Sequence, residues 1–195
     1  MNNIIELLTK EEKTKVVIQK YKKNSLLFEE DEICTSIGVV LSGEVEITSY
    51  SFVGKEIVFN KIEPFGIFGN NLIFSSDPKY RGNVIATSDC VIALINKENL
   101  LYLLQHNRSF LEEYLKMHAD FSKTLNSKIK LLSFNKAEER LDYYLYINYG
   151  KVKYKSITSL ARELSLTREA TSRLISTLSS EHKIEIKNHI IFKIR

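Results

Sequence analysis

Residues 157–178 read Ile157-Thr158-Ser159-Leu160-Ala161-Arg162-Glu163-Leu164-Ser165-Leu166-Thr167-Arg168-Glu169-Ala170-Thr171-Ser172-Arg173-Leu174-Ile175-Ser176-Thr177-Leu178. Leu160, Ala161 and Leu164 share one helical face, and Ala170, Leu174, Ile175 and Leu178 share another. Only Ser165-Leu166 lies between the two patterns, so two short amphipathic helices must turn tightly and pack on each other. Ser165 stands where such turns often carry glycine, and Thr167 is placed to cap the first free amides of a second helix over 167–178. This is helix-turn-helix spacing. Arg168, Glu169, Thr171, Ser172 and Arg173 are left for the outer face of the second helix.

Those residue types suit the edges of base pairs. The planar fork of an arginine donates two hydrogen bonds to O6 and N7 of guanine, and a glutamate accepts from the N4 amino group of cytosine. The hydroxyls of Thr167, Thr171 and Ser172, with those of Ser156 and Thr158 at the start of the first helix, suit phosphate oxygens, as do free amides at a helix N-terminus. The run Leu160-Ala161-x-x-Leu164-x-x-Thr167-Arg168-Glu169-x-x-Ser172-Arg173 is similar to the C-terminal signature of the bacterial Crp/Fnr superfamily of transcription regulators. The resemblance implies that Arg168, Glu169 and Arg173 read the bases of a palindromic half-site. It also implies double-stranded DNA and a second copy of the chain as partners, with RNA polymerase a further candidate.

Downstream, Ile184 to Ile194 alternates apolar and polar residues about Asn188, the pattern of a hairpin that would form the wing of a winged helix. Charge is distributed to match. Residues 135–195 hold 12 Lys+Arg against 7 Asp+Glu, whereas residues 1–134 hold 16 against 17, so the excess of +4 sits in the C-terminal part. A modest basic field is what a phosphate-facing domain needs, although it indicates nucleic acid only in company with the motif.

Between Ser25 and Ile95 the chain carries short β-rich runs: 26–28, 37–41, 45–47, 56–59, 84–86 and 91–95. Many short strands at close intervals predict an antiparallel sandwich or roll, with Gly43 and Gly54 at hairpin turns. The segment from Phe28-Glu29-Glu30-Asp31-Glu32-Ile33 to Gly43-Glu44-Val45 resembles the opening of a cyclic-nucleotide-binding β-roll, with Asp31 where glycine is commoner. The family's ligand cassette then corresponds to Gly69-Asn70-Asn71-Leu72, followed by Tyr80-Arg81-Gly82-Asn83. Asn70 replaces the glutamate that would meet the ribose hydroxyl, no serine follows Arg81, and Arg81 falls one position from the expected arginine. Leu125 and Asn126 match the positions that contact the nucleotide base, and Leu125 cannot make that hydrogen bond. Gly69, Asn70, Asn71, Leu72, Arg81, Leu125 and Asn126 are therefore the candidate effector residues, but no cofactor is expected. Losing several buried partners at more than about 1 kcal/mol each argues against control by cyclic AMP, and leaves another small effector, or a bare dimer scaffold.

After Asn107, the residues Phe110, Tyr114, Met117, Phe121, Leu125, Ile129 and Leu132 recur every three or four positions. The stripe suits the seam of a parallel homodimer, or in part a face packed on the chain's own roll. Around 133–136 this helix should break, with Asn135 as cap and Glu138 as its partner. The expected architecture is α+β: an antiparallel β-roll (double-stranded β-helix) sensor over 1–106, a long dimerisation helix over 107–134, and a winged helix-turn-helix over 135–195.

Composition excludes other classes. A 195-residue chain with 44% hydrophobic residues can build packed cores. Residues 1–13 hold no long apolar region, and no run approaches the roughly 18–20 residues that span a bilayer, so a cytoplasmic protein without a membrane partner is expected. Cys34 and Cys90 are isolated and read as reduced, buried thiols. A metal-binding roll of the cupin kind is the rival reading of the β-rich half, but His106, His118, His182 and His189 all lie outside residues 25–95. No metal site and no catalytic constellation stands out, so no enzyme is expected. The alternative from another class is a small-molecule-binding or scaffold protein whose helix-turn-helix mediates protein contacts.

Overall fold

The structure, a computed structural model, describes residues 3–50, 52–54 and 56–194, and for Glu56 and Phe59 the backbone alone. The chain divides into two compact units, Met1–Ala119 and Asp120–Arg195.

The first unit is the expected antiparallel roll. Its strands are β1 (Val17–Tyr21), β2 (Leu26–Phe28), β3 (Ser36–Ser42), β4 (Val45–Tyr50), β5 (Glu56–Ile62), β6 (Ile67–Phe68), β7 (Asn83–Ala86) and β8 (Cys90–Asn96). They form two four-stranded sheets, ordered β1-β8-β3-β6 and β2-β7-β4-β5. β3 buries Ile37, Gly38, Val39 and Val40 in succession rather than alternately, because both of its faces are covered. One side meets the roll interior, and the same apolar cluster takes in Leu100, Leu103 and Phe110 from helices that follow β8. Gly43, at φ +82°, joins β3 to β4, where a Cβ would stand 2.4 Å from the Asp89 carbonyl.

Two helices leave the roll. α1 (Lys97–His106) is capped by Asn96, whose side chain accepts from the Asn99 amide at 2.8 Å. α2 (Arg108–Ser133) starts behind Asn107, whose side chain accepts from the Phe110 amide at 2.9 Å. The apolar stripe of α2 does not serve one purpose: its first part packs on the chain's own roll, which takes Phe110, Tyr114 and Met117 out of the candidate dimer seam. Phe110, Tyr114 and Met117 are 0–5% exposed in the roll's own core, whereas Phe121, Leu125, Ile129 and Leu132 are 42–58% exposed.

The second unit contains the remainder of α2, then α3 (Ala137–Ile147), β9 (Lys151–Lys153), α4 (Ile157–Leu164), α5 (Arg168–Ser180), β10 (Ile184–Lys187) and β11 (Ile190–Lys193). Leu131, Leu141, Leu145, Leu160, Leu164, Ile175 and Ile191 are among its core residues. α3 begins one residue later than expected. The residue ahead of it is Lys136, and the Glu139 carboxylate accepts from the Lys136 amide at 3.4 Å. β10 and β11 form the wing hairpin, and Asn188 and His189 take φ of 49° and 59°, as a two-residue type I′ turn requires. β9 completes this sheet in the order β10-β11-β9. Among the described residues, no helix is long and apolar enough to cross a membrane.

Candidate nucleic-acid interface

The helix-turn-helix is built from caps. The Ser156 hydroxyl accepts from the Ser159 amide at 3.1 Å, and the Ser159 hydroxyl accepts from the Ser156 amide at 3.0 Å, which closes the start of α4. Ser165 ends α4 in the left-handed region, φ +52°, where glycine is commoner. Two residues on, the Thr167 hydroxyl accepts from the Ala170 amide at 3.1 Å and opens α5.

Past this cap Arg168, Glu169, Ser172 and Arg173 are all exposed, as are Ser156, Thr158 and Thr167. Among the described residues none of Arg168, Glu169 and Arg173 is held in an ion pair, so their donors and acceptors stand free for a ligand. Several lysines of this unit are already paired: Lys187 with Glu185 at 2.6 Å, Lys193 with Asp142 at 2.8 Å, and Lys183 with Glu138 and Glu181 at 2.8 and 2.9 Å.

Thr171 is not on that face, which corrects its assignment as a DNA contact. It is 0% exposed, and its hydroxyl donates to the Thr167 carbonyl at 3.0 Å. Positions 171, 175 and 178 are spaced by four and three, so Thr171 heads the buried stripe that continues through Ile175 and Leu178. Its polarity concealed a core position.

The cassette in the first unit is tied to α2. Gly69 has φ +76°, and a Cβ there would lie 2.9 Å from the Ser36 carbonyl. The Asn70 amide nitrogen stands 3.3 Å from Nε2 of His118, and the Tyr114 hydroxyl donates to the Asn70 carbonyl at 3.4 Å. Burial lowers the His118 pKa and pushes that of Tyr114 up to about 12, so both rings are neutral at ordinary pH. Asn71 is exposed and Leu72 half-buried against the core. Arg81 is exposed and bound to Asp77 at 2.6 Å. Between these segments Tyr80 is buried, stacked on Phe28 with ring centroids 4.9 Å apart. Leu125 and Asn126 are exposed residues of α2 in the second unit.

Residues 18–107 match the family model of the cyclic nucleotide-binding domain. The chain is 24% identical over 180 residues to the anaerobic regulatory protein of Bacillus subtilis, covering 86% of this chain and 75% of that one. Residues 18–107 thus match a cyclic nucleotide-binding domain, and over most of its length the chain is similar to a bacterial regulator. The chain's fold is shared by a CooA mutant from Carboxydothermus hydrogenoformans (TM-score 0.71, 20% identity, 99% of this chain and 91% of that one) and by the catabolite activator protein of Thermus thermophilus (TM-score 0.59, 18% identity, 99% and 94%).

Although they lie within the match to a cyclic nucleotide-binding domain, these residues do not fit a cyclic nucleotide. The arginine available for its phosphate is spent on Asp77, and the side chain in place of the ribose-binding carboxylate is a neutral amide already engaged with His118. His118 and Tyr114 were not legible as partners of Asn70, because their contact joins positions more than forty residues apart. Lys128 and Arg140, which hold the end of α4, were equally hidden.

Proposed function

We propose that this chain is a sequence-specific, DNA-binding transcription regulator that reads a palindromic operator as a homodimer. What carries the reading is the capped helix α5, which presents Arg168, Glu169, Ser172 and Arg173 together and unpaired on its outer face. Arg168 and Arg173 are matched to guanine edges and Glu169 to cytosine, while the hydroxyls of Ser156, Thr158, Thr167 and Ser172 are matched to phosphate. The domain over 135–195 reads, the roll over 1–106 serves as sensor or scaffold, and the helix over 107–134 pairs the subunits. Its exposed stripe, Phe121, Leu125, Ile129 and Leu132, is the seam that favours the dimer. Two recognition helices would then enter successive major grooves about 34 Å apart.

The test is selection of bound sequences from random duplex DNA, followed by salt titration on the winner. An enriched palindrome whose affinity falls steeply with salt is expected. Arg168→Ala should cost about 1–3 kcal/mol at one G·C pair in each half-site and little on random duplex. Equal loss on operator and random DNA would sink base reading by Arg168. Binding without salt dependence or enrichment would instead assign the helix-turn-helix to protein contacts.

A further inference from the structure

The last turn of a helix leaves four carbonyls without partners in the helix. At the end of α4 the backbone supplies only part of what is needed: Ser165 N–H donates to the Arg162 carbonyl at 3.2 Å and Leu166 N–H to that of Ala161 at 2.9 Å. Two cations supply the rest. The Lys128 ammonium donates to the carbonyls of Glu163 at 2.7 Å and Arg162 at 3.2 Å. Nη1 of Arg140 donates to the carbonyls of Ser165 at 2.9 Å and Leu164 at 3.4 Å, while its Nε donates to that of Phe134 at 2.9 Å. Every carbonyl from Ala161 to Ser165 thus has a donor, and positive charge faces the negative end of the helix dipole.

Both cations come from outside the helix-turn-helix. Lys128 is on α2 and half-buried, where burial lowers its pKa against the opposing pull of Glu163. Arg140 is on α3 and half-buried too. The carbonyls they hold end two residues before Thr167, the cap of the reading helix.

We infer that Lys128 and Arg140 are positioning residues that fix the turn between α4 and α5, and with it the angle at which Arg168, Glu169 and Arg173 meet DNA. The inference rests on the DNA-reading function proposed above. Lys128 follows Leu125 by three positions and precedes Leu132 by four, so it flanks the exposed stripe of α2.

The experiment compares Lys128→Met, Lys128→Arg and Arg168→Ala in the full chain. Affinity is measured on the selected operator and on random duplex of equal length, across a salt series. Lys128→Met should weaken operator binding about tenfold, within the span of substitutions that act on coupling without touching a ligand. Its random-duplex affinity and salt slope should match those of the wild type, and Lys128→Arg should recover much of the loss. Wild-type operator affinity in Lys128→Met overturns the proposal. So does an equal loss on both duplexes with a salt slope reduced by about one, since that marks a phosphate contact. If Lys128→Met does not fold, Lys128→Gln, which still donates to carbonyls without the charge, carries the same comparison. Should Arg168→Ala show that DNA reading itself fails, amide hydrogen exchange decides the clamp alone: faster exchange at Leu166 and Ala170 in the Lys128 variant supports it, and unchanged protection overturns it.

Discussion

Replacing Thr171 by valine separates a core threonine from a DNA-contacting one, because the two roles predict opposite results. Valine keeps the shape of the side chain and exchanges the hydroxyl for a methyl. The lost hydrogen bond, 3.0 Å to the Thr167 carbonyl, is worth about 0.5–1.5 kcal/mol net. That carbonyl is not orphaned, since the Thr171 amide also donates to it at 3.0 Å. The new methyl enters a fully buried site and returns about 0.8 kcal/mol. The two terms nearly cancel, so Thr171→Val should lie within about 1 kcal/mol of the wild type, a change of a few degrees in thermal midpoint. Operator affinity measured on the same samples should not change. Ser172→Val, one position on and exposed, should behave in the reverse way, with stability held within about 0.5 kcal/mol and operator binding weakened. A tenfold loss of operator affinity in Thr171→Val with an unchanged midpoint would refute the placement of α5's faces.

The two halves of α2 should respond differently to truncation. Phe110→Ala empties a fully buried site in the roll and should cost about 3–5 kcal/mol in denaturant unfolding, whereas Ile129→Asp, at an exposed position, should spare the fold and shift sedimentation toward the monomer. A dimer indifferent to Ile129→Asp would remove the stripe from the interface. Burial lowers the His118 pKa below its ordinary 6.5, so the folded state favours the neutral ring. Below that value the unfolded chain binds more protons, and stability must fall as pH falls. His118→Gln removes this titration, so between about pH 7.5 and about pH 5 the wild type should lose more stability than the variant. Parallel pH profiles would show that His118 carries no such linkage.

The helix-turn-helix was legible because its determinants are local. Thr167 caps the amide of a residue three positions on, while Ser165 at φ +52° and Asn188 at φ +49° turn the chain where a glycine would do so more freely. Asp31, at φ +67°, likewise holds a left-handed backbone position in the roll. β1, β6 and β9 were not legible. β1 is a sheet edge with Val17 and Ile18 more than half exposed, so it shows no alternation, and β6 and β9 are two and three residues long. Their existence depends on partners such as β8 and β11, far away in the chain.

The sequence by itself determined the helix-turn-helix over 157–178, the wing hairpin and the longer strands of the roll, because periodicity, caps and turn residues act within a few positions. Tertiary structure alone decided what covers each apolar face. It divided the stripe of α2 between a buried half and an exposed half, drew Thr171 into the core, set Asn70 against His118, and brought Lys128 and Arg140 to the carbonyls of a helix 24 to 35 residues away. A side chain's pattern shows only that it must be buried or paired. Which surface or group does so is chosen by packing between segments distant in the chain, where no local signal reaches.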